Sequence, residues 1–551
     1  MSESNPAPFR HDSFKKSTLH DRRAFLQRTL GLGAIAGAAI AGTVYLEERH
    51  SSTTTTTTTT TTSPTTTTTS GPATAAAWAQ LGASLTGSLV LPSNPRYGID
   101  RLLYNSKFVN LHPRAIAYCA TADDVARCVA FATAHDVAIA ARSGGHSYGG
   151  YSNSDGLVID VSRMNGVSVD TAANTARVGA GAKLIDVYNV IGNAGRLLPG
   201  GSCPTVGIAG LALGGGIGVF GRKFGLTTDN IRSVSVVTAD ASTVAADASM
   251  NSDLLWASQG GGGGTFGVVT SFEFSVHPMP EVTLFTLQYP WAAAATMLSA
   301  WGLWIDTAPD ELWSNCQLLS QGTYGFLPQI AGVYCGSPSE LASVLAPLKS
   351  MIATAPTYSF SGSNSYLSAM EIEAGCSGLS IAACHLTTQN PAGRLGREAY
   401  SAKSNYVNAP MNDASVASFI DAVENLHAHA PTVGGGLAFD SYGGAINRVA
   451  SDATAFVHRD KLACIQATYS WSSYTSPSLI AAGEQWLTWL GTNVFDPGTG
   501  AYQNYIDPTL VNWPSAYYGS NLSRLATIKS KYDPDNLFSF AQSIPVHARA
   551  V

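Results

Sequence analysis

Two glycine-rich strings constrain this chain more than any other feature. Arg142-Ser-Gly-Gly-His146-Ser-Tyr148 and Gly200-Gly-Ser-Cys203-Pro-Thr-Val206-Gly207 each set one nucleophilic side chain among residues with little or no side chain. Glycine inside a helix or strand costs roughly 0.5–1 kcal/mol relative to alanine, so both strings belong to loops. Without Cβ atoms beside His146, a large flat ligand can lie against the backbone. A neutral imidazole and a thiolate are the side chains best able to attack an electron-poor carbon. The pair therefore reads as two attachment points for one planar cofactor.

Four further strings occur in order: Gly261-Gly-Gly-Gly-Thr265-Phe-Gly-Val-Val269-Thr-Ser-Phe-Glu-Phe274, Ala445 to Arg459, Tyr502 to Asp507, and Tyr532 to Pro545. With RSGGHSYGG (142–150) and CPTVGIAGLALGGGIG (203–218), the chain resembles the berberine-bridge-enzyme-like FAD-linked oxidases, which have the vanillyl-alcohol-oxidase (PCMH-type) FAD-binding fold. The resemblance runs from about Pro113 to Pro545. It implies an α+β protein in which a two-subdomain PCMH-type FAD-binding domain is joined to a substrate domain, whose antiparallel sheet is covered by helices and roofs the flavin.

Composition agrees with an enzyme. The chain has 551 residues, enough for two or three cores, with 12% charged residues and 54 glycines. A net charge of −6 and no basic stripe make nucleic acid an unsuitable partner. Eight cysteines at irregular spacings, with no CxxC pair, argue against a structural zinc site. A disulfide among Cys119, Cys128, Cys316, Cys335, Cys376, Cys384 and Cys464 would suit an exported protein, but spacing assigns none.

The first 46 residues read as a leader. Asp21-Arg22-Arg23-Ala24-Phe25-Leu26 resembles a twin-arginine export signal, followed by an apolar stretch, Leu30 to Leu46, that is short for a membrane span. The alternative is an uncleaved signal anchor. Residues 47–74 are a threonine-rich linker with almost nothing to bury. The expected organisation continues with an FAD-binding domain over 109–280, a substrate-binding domain over 281–500, and a berberine-bridge-like segment over 501–547 packing back on the FAD domain.

Within 109–280, Val125, Cys128, Val129 and Ala132 repeat at helical spacing, so 121–135 should be a helix capped by Thr121. Strands are expected at 137–141, 157–161, 167–169, 176–178, 234–238 and 272–276, and a second helix at 182–194. Gly216-Ile-Gly218-Val-Phe-Gly221 imitates a nicotinamide-dinucleotide fingerprint, with Asp240 about 20 residues on. The amphipathic helix such a motif requires is missing, because Arg222 to Asn230 is broken by Gly225 and turn residues.

The resemblance implies residue roles. His146 would join the 8α-methyl carbon of the flavin and Cys203 its C6. Arg142, Ser143, Gly144, Gly145, Ser147 and Tyr148, with Gly207, Gly210, Gly214, Gly215 and Gly218, would cradle the cofactor largely through backbone N–H groups; Val269 and Asn504 would complete its walls. Thr265 stands where relatives commonly have Asn. Tyr505 matches the catalytic-base tyrosine, with Tyr502 as a packing neighbour. An alcohol surrenders a hydride only as its O–H proton leaves, so a base is needed. Gln466 is expected to orient substrate. Val206 leaves room for O₂ at the ring. His427-Ala-His429 is read as an exposed loop, since a metal would need a third ligand.

The expected reaction is oxidation of an alcohol or carbohydrate with production of H₂O₂; the partners are a small-molecule substrate and O₂, with no stable membrane insertion after leader removal. None of these features sets an oligomeric state. The alternatives are a flavin-dependent dehydrogenase or secondary-metabolite tailoring enzyme using another electron acceptor, and a non-catalytic binding protein.

Overall fold

The computed structural model describes residues 71–547; the leader and nearly all of the expected linker lie outside them. The first sheet has four strands, β1 (Ser88–Val90), β2 (Ala115–Tyr118), β3 (Ile139–Arg142) and β4 (Leu157–Asp160), in the order β1-β2-β4-β3. β2, β4 and β3 run parallel, and the helix Ala122–His135 makes the crossover between β2 and β3. That helix starts where Thr121 accepts from the Asp124 N–H and ends where Asp136 turns left-handed. Its apolar stripe, Val125, Cys128, Val129 and Ala132, is fully buried.

The second sheet contains β5 (Val167–Asp170), β6 (Thr175–Gly179), β7 (Ile231–Val237), β8 (Thr243–Asp247) and β9 (Val268–Ser275), ordered β5-β6-β9-β7-β8 and wholly antiparallel. The dinucleotide look-alike has no Rossmann context. A four-residue helix, Gly221–Phe224, comes after it, and Asp240 lies in the turn of the β7–β8 hairpin.

A third sheet holds β10 (Val282–Gln288), β11 (Leu312–Gln321), β12 (Phe326–Tyr334), β13 (Tyr358–Asn364), β14 (Ala399–Val407), β15 (Gly434–Ser441) and β16 (Ala463–Trp471). Its order is β13-β10-β12-β11-β15-β16-β14, antiparallel throughout. Strand alternation gives the sheet two characters. Cys316, Leu318, Leu437, Phe439, Ile465 and Tyr469 face the helices Ala294–Asp306, Pro338–Ile352, Asp413–His429 and Pro477–Asn493 in one core with Trp301 and Trp486. Each such side chain removed from water contributes about 1.5–3 kcal/mol. Their strand neighbours Trp313, Asp440 and Gln466 point the other way and line a cavity against the first two sheets.

The chain's end returns to those sheets: Ile506, Tyr517, Leu525, Phe538 and Ile544 share a core with Val178, Val236 and Phe272. No helix of the described residues is long and apolar enough to cross a membrane. All eight cysteines are free; seven are buried and Cys203 is half-buried.

Candidate functional site

The first glycine string leaves the end of β3 and the second leads into the helix Ile208–Leu213, and these two elements bring them to one place. A Cβ on Gly144 would sit 2.2 Å from the Gly207 nitrogen, and one on Gly207 would sit 2.0 Å from Ser143 Oγ. The loops therefore touch backbone to backbone, which only glycine allows. Between them and the third sheet lies a cavity of about 530 Å³, within the size range of cofactor and substrate sites. Its lining includes Ser143, Gly144, Gly145, His146, Ser147, Tyr148, Cys203, Val206, Gly207, Gly210, Gly218, Val269, Gln466, Asn504 and Tyr505. The N–H groups of Gly144, Gly145, His146 and Ser147 meet no acceptor among the described residues. Successive N–H groups without protein acceptors form a nest for an anion. A large cofactor carrying a pyrophosphate fits this wall.

Arg142 lines the cavity as well, while its guanidinium pairs with buried Asp160 and braces β3 against β4. Two sequence expectations need correction. Gly214 and Gly215 are absent from the lining. A Cβ on Gly214 would meet Asn504 Oδ1 at 2.0 Å, and Gly215, at φ +128°, abuts Phe456 and Tyr502, so both seat the 502–504 segment. His427 and His429 end a helix rather than a loop, and His427 Nδ1 lies 2.9 Å from Ser320 Oγ. No cluster of metal-ligating side chains occurs among the described residues.

The two nucleophiles differ in readiness. Burial, reinforced by the charge of Lys183, pushes the His146 pKa down to about 3, so its imidazole is neutral. Its Nε2 lies 2.8 Å from Thr205 Oγ1. The Tyr104 ring stacks on it at 4.1 Å. Burial pushes the Cys203 thiol up to about 11, so the thiolate expected from sequence needs a base to form.

The tyrosines form a connected set. Tyr505 is half-buried and stacks on Tyr148 at 5.1 Å, and Gln466 Nε2 donates to Tyr148 Oη at 2.6 Å. Tyr502, expected as mere packing, lines the cavity. Its oxygen accepts from Gly216 N (2.8 Å), Ile217 N (3.2 Å) and Asn504 Nδ2 (2.9 Å), and burial pushes it up to about 12 despite these donors. Burial also raises Tyr505, followed by its neighbours Tyr148 and Asp440, so no free phenolate stands at 505.

Asp440 is the residue sequence reasoning missed. It is buried on β15, accepts from Asn315 Nδ2, and has its carboxyl pushed up to about 6 by burial. A lone carboxylate inside the apolar run Gly435-Gly-Leu-Ala-Phe-Asp440-Ser was its signal. Thr265, at the Asn position, is buried, and its carbonyl accepts from Lys529 Nζ.

Residues 113–247 match the FAD binding domain family, and residues 501–545 the berberine and berberine-like family. An uncharacterised FAD-linked oxidoreductase of Bacillus subtilis is 31% identical over 472 residues, covering 85% of this chain and 98% of that protein. A glucooligosaccharide oxidase of Sarocladium strictum is 30% identical over 477 residues, covering 81% and 90%. The structure of Physcomitrella patens BBE-like 1 superposes with a TM-score of 0.77 at 33% identity, covering 86% of this chain and all of that one.

Proposed function

This chain belongs to the berberine-bridge-enzyme-like family of FAD-linked oxidoreductases, and we propose that it is an oxidase of alcohols or carbohydrates with a doubly tethered flavin. The observation that carries the reading is the convergence of Asp440, Tyr505, Tyr148 and Gln466 on the cavity that His146 and Cys203 also line. FAD bound there would supply a hydride acceptor. His146 and Cys203 would hold it covalently, and the N–H groups of 144–147 with Gly207, Gly210 and Gly218 would hold its polar parts.

Asp440 is the base in this reading. Tyr505, whose phenol resists ionisation, takes the proton of the substrate hydroxyl only as it passes its own toward Asp440. Gln466 holds the Tyr148 hydroxyl in place, and this pair, on the cavity lining, orients the substrate. Val206, half-buried on the lining, leaves room for O₂. A carbohydrate is favoured as substrate by the glucooligosaccharide oxidase among the relatives. Export by the twin-arginine-type leader, and the division 109–280, 281–500 and 501–547, belong to the same reading.

Acid precipitation of the purified protein tests the cofactor: a yellow pellet, with FAD mass on the His146 and Cys203 peptides, is expected. A colourless pellet removes the tether. Peroxide release with an oligosaccharide panel tests the reaction, and turnover without oxygen uptake would instead favour a dehydrogenase. Tyr505→Phe should keep the flavin and lose turnover by about 10²-fold or more; unchanged turnover removes Tyr505 from the mechanism.

A further inference from the structure

Behind His146 stands a group that substrate oxidation does not use. The Tyr104 ring covers the imidazole face, 4.1 Å away and inclined by 17°, and Tyr104 itself lines the cavity. Its hydroxyl lies close enough to the Glu398 carboxyl for the two to influence each other's proton affinity. The two residues are also tied through their backbones: the Tyr104 N–H donates to the Gly145 carbonyl, and the Glu398 N–H to the Tyr104 carbonyl. So the pair is fixed to the same loop as His146. The second carboxyl oxygen, Oε2, is out of solvent and has no hydrogen-bond partner. Such an orphan costs about 1–3 kcal/mol.

We propose that Glu398, acting through the Tyr104 hydroxyl, accepts the protons released when His146 and Cys203 bond to the flavin, so that the chain matures its own cofactor. The inference rests on the doubly tethered flavin proposed above. Joining an imidazole nitrogen to a ring methyl carbon breaks one N–H and one C–H bond and forms one C–N bond. The two hydrogens leave as two protons and two electrons, and dioxygen takes all four to give hydrogen peroxide. Joining the Cys203 sulfur to a ring carbon breaks S–H and C–H, forms C–S and balances in the same way.

Both reactions need a proton acceptor at the tethering end of the cavity. His146 cannot serve, because its nitrogen is consumed and its neutral form is already favoured. Cys203 holds its proton tightly. Asp440 is the base for substrate oxidation in the reading above. Glu398 is suited by charge as well as place: burial raises its carboxyl to about 7, so it can both take and release a proton near neutrality. The titratable groups that feel it are Tyr104, Cys203 and Tyr400, all of them neutral there, so no fixed cation ties it down.

Glu398→Gln in the full chain is the test, with total flavin, the tethered share at each peptide by mass spectrometry, and the melting temperature read together. The expected result is native total flavin and native melting, with both tethers forming about 10²-fold more slowly or worse. Glu398→Asp should recover them. Tyr104→Phe, which keeps the ring on His146 and removes only the hydroxyl, should reproduce the slow attachment. Full tethering in Glu398→Gln overturns the proposal while leaving the tethered flavin in place; loss of all flavin in both Glu398 variants overturns it in favour of a packing role. A native chain without any tether sinks this inference together with the reading beneath it.

Discussion

Asp440 carries its carboxylate where burial disfavours charge, and only one neutral donor, Asn315 Nδ2, compensates. A carboxyl raised to about 6 is ionised at neutral pH yet basic enough to take a proton. Protonation below that value removes the acceptor, so kcat/KM should fall as pH drops through about 6, by about tenfold per unit. Asp440→Asn should lower kcat by about 10²–10⁴-fold and abolish this acid limb in the residual activity; a pH–rate profile of both proteins checks it. At Gln466 the consequence is milder. Gln466→Leu deletes one donor to Tyr148 and should cost about 1 kcal/mol, a several-fold loss in kcat/KM with flavin retained. His146, Cys203 and Tyr505 stood out because each sits in a short string of unusual composition, whereas Gln466 followed only from the family resemblance. Asp440 and Glu398 were not, since a single carboxylate in an ordinary strand or loop acquires its chemistry only from what is folded over it.

Elements with a clear period were read within a few residues. The helix Ala122–His135 and the strands β4 and β5 match their expected spans closely, because apolar spacing and a threonine cap are local signals. The glycines of the two loops were recognised as functional, but their division of labour was not. Gly144 and Gly207 hold the loops together, Gly210 opens on the cavity, and Gly214 and Gly215 seat the 502–504 segment. These are facts of long-range approach. Gly144→Ala would drive a methyl into the Gly207 backbone, which cannot yield as a flexible side chain would. It should cost at least about 1–3 kcal/mol and lower the flavin content; denaturant unfolding and the flavin-to-protein ratio report both effects.

At the scale of the molecule, the last segment locks onto the first two sheets through a fully buried ion pair. Lys529 Nζ donates to Asp533 and to the carbonyls of Thr265 and Phe538, while Asp533 also accepts from the N–H groups of Leu537 and Phe538. Lys529→Met strands a buried carboxylate and should destabilise the fold by about 3–5 kcal/mol, read as a lowered denaturant midpoint. Arg459 clasps Asp229 with two nitrogens across another junction, at 2.6 and 2.9 Å, where lysine could not reproduce the fork. Neither junction was visible in advance, since Arg459 and Asp229 stand 230 residues apart and Lys529 and Thr265 stand 264 apart, and such partners carry no shared pattern. Everything local was already written in the chain: loop against helix against strand, two nucleophiles freed from neighbouring side chains, and motif order. Which groups face one cavity was settled only by the packing of the three sheets. The acidity of His146, Cys203, Asp440 and Glu398 comes from burial and neighbours, and both arise only when the sheets close over them.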